Sequence, residues 1–182
     1  MKFLKPIYRL VLLILVLSML SLITLYGLAT LNKNEEKHLF IDEEKIQTLN
    51  AIEDLASNID PMIKNKISEE IIKASKKYKI DPIMIICFIN RSSGFNINAS
   101  THPNQDKRVG LMLIPADITE NEKHIAINID TGTKLLTEKI NESNGVSKKA
   151  FDLYFNCDTT TFYEDFSKTY INLSCNRNKL KL

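Results

Sequence analysis

Ser92 stands at the end of an apolar run, Ile83-Met84-Ile85-Ile86-Cys87-Phe88-Ile89, and is followed by Ser93-Gly94-Phe95. A serine there could act as a nucleophile only with a base in reach and a group to orient that base. The chain has three histidines, His38, His102 and His124. His102 falls in the polar loop after Ser92 and is the candidate base, although no nucleophile-elbow motif surrounds Ser92. The plainer role for His102 is an ordinary polar loop residue. Acid catalysis would need a carboxyl poised near neutral pH. Asp106, Asp117, Glu120 and Glu122 follow Ser92 in the chain. A mobile Asp106 would be poorly placed and too acidic for that task, Asp117, Glu120 and Glu122 are further candidates, and the plainer role for all four is a surface carboxylate. Asp106 belongs to Asn104-Gln105-Asp106-Lys107-Arg108, which reads as a solvated loop. The three cysteines, Cys87, Cys157 and Cys175, match no metal or redox spacing. No metal site and no cofactor is expected.

Charge and hydropathy say where such a site would work. Lys2, Lys5 and Arg9 precede an uncharged run from Leu10 to Leu31 that is rich in Leu, Ile and Val. The run is long enough to cross a bilayer once, and the positive flank keeps the N-terminus in the cytoplasm. The expectation is a single-pass anchor over residues 10–31 in the inner (cytoplasmic) membrane, with the C-terminal part on the extracytoplasmic, periplasmic side. A cleaved signal peptide ending near Gly27-Leu28-Ala29 is the rival reading, against which the length of the run argues. The remaining residues, about 150, are enough for one modest domain. The net charge of +2 comes from interspersed signs, not from a basic patch, so nucleic acid is not an expected partner. The basic tail Arg177, Lys179, Lys181 reads as a solvated terminus. Cys157 and Cys175 both fall in the exported part, where a disulfide can persist. Pairing them would clip the last helix to the one before it; two separate thiols are the alternative. Cys87 reads as a small core residue.

The elements that must position Ser92 are helical. Ile46, Leu49, Ile52, Leu55 and Ala56 recur at helical spacing and predict a helix from Asp42 to about Ser57, a stalk or an added packing element. Ile59-Asp60-Pro61 breaks it, and a second helix is expected from Ser68 to about Lys77. Asp81 is a capping residue and Pro82 suits the first helical position. The helix that follows is apolar almost all round, so it is the expected buried centre, ending near Ser92-Ser93-Gly94. Residues 95–109 read as an irregular loop, Gly110 to Pro115 as a short apolar turn, and 116–127 as weakly patterned. Further helices are expected from Thr131, from Ser147, and from Thr160 to Leu173. No run of strands is evident, and the domain is expected to be mainly α.

Six pieces of this pattern belong together: Lys79-Ile80-Asp81-Pro82; Ser92-Ser93-Gly94-Phe95; Ala99-Ser100; Gly110-Leu111-Met112-Leu113-Ile114-Pro115; Asn128-Ile129-Asp130-Thr131-Gly132; and Ala150-Phe151-Asp152-Leu153-Tyr154-Phe155. In this order they resemble the lytic transglycosylase domain of the lysozyme-like superfamily, of the soluble lytic transglycosylase type. The resemblance covers residues 67–172. It implies a mainly α, lysozyme-like (goose-type lysozyme / lytic transglycosylase) domain behind one N-terminal transmembrane helix. The division expected is 1–31 for the cytoplasmic N-terminus and anchor, 32–66 for a juxtamembrane spacer and stalk helix, and 67–182 for the domain.

Three departures fall at polar positions of the family's motifs. The family's catalytic Glu matches Ser92, the Gln of its Gly-Leu-Met-Gln turn matches Leu113, and the Asn after its Tyr matches Phe155. That Glu is thought to protonate the glycosidic oxygen and then to deprotonate the sugar's 6-hydroxyl as an anhydro ring closes. A serine hydroxyl has no accessible pKa for either step. The resemblance therefore implies no catalytic residue, with Ser92 at the family's Glu position. It also implies a groove shaped by Ser93, Met112, Leu113, Tyr154 and Phe155, with core packing the other role open to Met112 and Tyr154. The expected function is that of a membrane-anchored, catalytically degenerate protein that binds peptidoglycan glycan strands or scaffolds an envelope protein complex. Two alternatives stay open. One is an active transglycosylase with a relocated acid. The other is a purely structural partner in a secretion, motility or division complex.

Overall fold

Asp-Pro pairs start both of the helices that lead into the core. In the computed structural model of the chain, the residues described are 18–26, 43–101, 107–116 and 124–179. They are mainly α-helical and fall into two units, Met1–Glu43 and Glu44–Leu182. In the first, residues 18–26 are helical with every side chain exposed. The Ser21 and Thr24 hydroxyls donate to the carbonyls of Ser18 and Ser21, at 2.8 and 2.9 Å. The rest of the expected anchor, 10–31, lies outside the described residues. Among the described residues no helix is long and apolar enough to cross a membrane.

The second unit begins within helix α1 (residues 43–55). Ala51 and Ile52 of α1 enter the core. Lys45–Glu69 at 3.0 Å, Lys76–Glu44 at 2.7 Å and Lys64–Glu53 tie α1 to the next helix. Residues 43–55 are thus a packing element of the unit rather than a bare stalk. Helix α2 (Pro61–Tyr78) begins seven residues before the expected Ser68. Asp60 and Pro61 do more than break α1. The Asp60 carboxylate accepts from the backbone N–H groups of Met62 and Ile63, at 2.8 and 3.2 Å, and Pro61 takes the first turn, where its missing N–H costs nothing. Ser68 lies buried inside the helix, on the face that also buries Ile67, Ile71 and Ile72.

Helix α3 (Pro82–Ser93) starts and ends where expected. The Asp81 carboxylate accepts from the N–H of Ile83 at 2.9 Å. Gly94, at φ +59°, closes the helix in the left-handed region, its N–H donating to Asn90. Ile83 and Ile85 to Ile89 are buried, so α3 is the central helix. Strands β1 (Arg108–Val109) and β2 (Ile114–Pro115) pair antiparallel, with Arg108 opposite Pro115 and Val109 opposite Ile114. This small hairpin encloses the apolar turn Gly110–Leu113.

Helix α4 (Ile125–Glu142) starts six residues before the expected Thr131. Its first inward residues are Asn128, Ile129 and Gly132, so the apolar repeat that marks a helix is masked by a polar and a small residue. Helix α5 (Ser147–Phe155) is as expected, and α6 (Thr160–Lys179) runs beyond the expected Leu173. α2 packs on α4 and α3, α4 on α5, and α3 on α6. Between α3, α5 and α6 lies an aromatic cluster. The Phe88 ring meets Phe151 and Tyr154 edge-on at 5.4 and 4.9 Å and stacks on Phe155 at 5.6 Å.

The possible Cys157–Cys175 pair is not made: all three cysteines are free. Cys157 precedes α6, and Cys175 lies near its far end. At a rise of about 1.5 Å per residue, the helix carries Cys175 roughly 22 Å from its start. A disulfide needs Cα atoms within about 7 Å. Cys87 is buried in the core, where desolvation and then the charge of Asp81 push its thiol up to about 12, which leaves it inert.

Candidate functional site

The hairpin turn is held from below by three residues. Asn128 of α4 is fully buried. Its Oδ1 accepts from the N–H of Met112 at 2.8 Å, and its Nδ2 donates to the carbonyl of Val109 at 2.9 Å. Gly110, at φ +79°, lies directly against this amide, where any Cβ would collide with the Asn128 side chain. One turn further along α4, Gly132 lets Met112 come down onto the helix; a Cβ there would stand 2.6 Å from that of Met112. From α5, the Tyr154 hydroxyl donates to the carbonyl of Met112 at 2.8 Å. Tyr154 is buried, and desolvation drives its hydroxyl well above the ordinary range, so it stays a neutral donor.

Above the turn opens a cleft of about 630 Å³ between the end of α3, the hairpin and the α5–α6 junction. Ser92, Leu113 and Phe155 all line it. These are the three positions at which the sequence departs from the motifs it resembles. Ser93, Met112 and Tyr154, expected in the same groove, are not among its walls. The Ser93 hydroxyl turns back to the carbonyl of Ile89 at 3.1 Å. Met112 and Tyr154 pack beneath the cleft and hold the turn instead of facing a ligand. Cys157 lies at the cleft wall, whereas Cys175 does not. His38, His102, Asp106, Asp117, Glu120 and Glu122 lie outside the described residues.

Three charged residues that the sequence reading passed over also line the cleft: Arg91, Arg108 and Asp158. Arg108 ends a stretch that reads as a solvated loop, yet it is only 8% exposed. Its Nη1 donates to the carbonyl of Leu113 at 3.2 Å. Its guanidinium lies 5.5 Å from the ring centres of both Tyr154 and Phe155. Arg108 begins the hairpin strand that Asn128 draws inward, which the polar composition of 104–108 could not reveal. Arg91 is more open; it pairs with Asp165 at 3.4 Å and stands 5.5 Å from the Phe162 ring. The Ser92 Oγ is buried and has no hydrogen-bond partner.

Asp158 is the only carboxylate among the described residues of the cleft wall. It accepts from the hydroxyl and N–H of Thr160, at 2.7 and 3.0 Å, and pairs with Lys148 at 3.2 Å. The Thr160 hydroxyl and then Lys148 hold its carboxyl below the usual range, so it is ionised at neutral pH and has no proton to give. Among the described residues, no group of His, Cys, Asp and Glu could hold a metal ion. The described cleft offers two guanidiniums and an apolar wall. Such a surface can bind and orient a ligand. Compared with known proteins, the chain matches no protein-family model, no curated protein and no solved structure.

Proposed function

We propose that the protein is a membrane-anchored, catalytically degenerate relative of the lytic transglycosylases that binds peptidoglycan. On this reading residues 10–31 hold it in the cytoplasmic membrane, and a lysozyme-like domain faces the cell wall. The observation that carries the proposal is the convergence of Ser92, Leu113 and Phe155 on one cleft. Ordered motif pieces suggested a common site, and their three departures line one cleft of the folded chain. The pieces that match, Gly110, Asn128, Gly132 and Tyr154, are the ones that hold the turn beneath that cleft. A frame kept in place around a cleft that offers no general acid among the described residues supports binding over cleavage.

The test is a digest and a pull-down with the purified full-length chain. Incubation with isolated sacculi is expected to pellet the protein without releasing soluble anhydro-muropeptides. Their appearance at a rate above buffer would overturn the degenerate reading. Failure to pellet would overturn glycan binding.

A further inference from the structure

The charge of the cleft points to more than a passive wall for sugar. We propose that it is an anion site for a carboxylate-bearing ligand, with Arg108 as its main cation and Arg91 as a second one at the more open side. The source assigned to that carboxylate, the peptide stems of peptidoglycan, rests on the wall-binding proposal above.

Arg108 carries the argument. A guanidinium keeps its proton in any protein, so it cannot escape burial by becoming neutral. A buried charge is costly unless paired or well hydrogen-bonded. Yet no carboxylate among the described residues pairs with Arg108, and its hydrogen-bond acceptor there is the Leu113 carbonyl, on Nη1 alone. The faces of Tyr154 and Phe155 offset part of the cost and hold the side chain in place. They supply no oxygen acceptor for the remaining donors, and a carboxylate matches that planar fork.

Independent features of the same cleft agree. Arg91 adds a second positive charge at the more open side, partly offset by Asp165. Asp158 is the opposing charge, but Lys148 and Thr160 already engage it, and by accepting from the Thr160 N–H it caps α6. The start of α6 therefore contributes little, and the selectivity falls to the arginines. Leu113, Phe155 and Phe162 give the cleft an apolar side, which strengthens a charge pair by excluding water. A volume of about 630 Å³ suits a small organic molecule and exceeds the needs of a lone inorganic ion.

The experiment compares two probes on the full-length chain by titration calorimetry: a disaccharide-peptide muropeptide with free carboxylates, and the same molecule with every carboxylate amidated. The free form is expected to bind about tenfold more tightly, with an advantage that shrinks as salt is added. Arg108→Gln is expected to abolish the difference, with folding checked by circular dichroism. Arg91→Gln, at a more exposed position, is expected to reduce it about threefold and serves where Arg108→Gln does not fold. Equal affinities, or no binding of either probe, would overturn the carboxylate site. So would inorganic phosphate displacing the free muropeptide at equal concentration. Sacculus pelleting reads the wall-binding proposal separately. Pelleting without carboxylate preference sinks only the anion site, and carboxylate preference without pelleting sinks only the wall reading.

Discussion

Replacing Asn128 by alanine tests whether one buried amide holds the wall of the cleft. The amide satisfies the Met112 N–H at 2.8 Å and the Val109 carbonyl at 2.9 Å, and all three residues are essentially closed to solvent. Alanine strands both backbone groups. An unsatisfied buried donor or acceptor costs about 1–3 kcal/mol, so two cost about 2–6 kcal/mol before the emptied volume is counted. A water molecule taking the place of the amide would move the result toward the lower figure. Domains of this size have total stabilities of about 5–15 kcal/mol, so the loss should be plain in a urea titration followed by far-ultraviolet circular dichroism. Asn128→Asp sharpens the test. It keeps an acceptor for Met112 but sets a carboxylate oxygen against the Val109 carbonyl. Only the protonated acid can donate there, so its folded pKa is raised above the unfolded value of about 3.9. The variant's stability relative to the wild type should therefore be greatest at acid pH and fall as pH rises through the folded pKa. A loss under about 1 kcal/mol for Asn128→Ala with an unchanged urea slope would refute the reasoning, because the two groups would then have found other partners.

Gly132→Ala should destabilise the chain even though alanine is the better helix former by about 1 kcal/mol, because its Cβ would stand 2.6 Å from that of buried Met112 and overpacking costs about 1–3 kcal/mol; a raised melting temperature would contradict the close approach of α4 to the turn. Restoring an acid by Ser92→Glu should not yield anhydro-muropeptides, since Arg91 and Arg108 on the same cleft would hold the new carboxyl ionised at neutral pH; release above the wild-type level in a muropeptide chromatogram would refute this. Asp152 is held below its ordinary pKa by Lys148 and by the hydroxyl and N–H of Thr159, at 2.7 and 2.8 Å, and Asp158 is held down by Thr160 and Lys148. Depressed folded pKa values contribute stability above the unfolded value of about 3.9 that is lost as pH falls below it. The melting temperature of the wild type should thus fall more steeply below pH 4 than that of Lys148→Met, and coincident curves would sink the assignment.

The parts of the fold that were legible in the sequence are those written in local chemistry. Asp81-Pro82 and Gly94 mark both ends of α3 because a cap, a fixed φ and a left-handed stop act within a few residues. Asp60-Pro61 carries the same start signal as Asp81-Pro82. It was obscured because the same pair also ends α1, and Ser68 offered a second plausible cap. The start of α4 was hidden for the opposite reason, since Asn128 and Gly132 face inward to serve the hairpin and so break the apolar repeat. At the site, the convergence of Ser92, Leu113 and Phe155 followed from the order of motif pieces. The burial of Arg108 did not. Its neighbours in the chain are polar, and only the pairing of β1 with β2, fixed by Asn128 from 20 positions away, turns it inward.

The polar groups around the hairpin divide by which side they serve. Below the turn, Asn128 and Tyr154 are satisfied on the carbonyls and N–H of Val109 and Met112, as buried structural groups must be. Above it, Arg108 has a single carbonyl acceptor among the described residues. The contrast cannot be assigned to loose packing, because both sets meet at the same four-residue turn. Leu113 makes the point most directly. Its backbone is held at φ +49°, a conformation unfavourable for a leucine, and its carbonyl is the one that Arg108 engages. Arg108 therefore both braces the strained residue and presents its remaining donors to the cleft. Structure alone would be served by a neutral donor to that carbonyl. A buried full charge in that role carries a desolvation cost that a neutral group would avoid, and the anion proposed for the cleft would offset it.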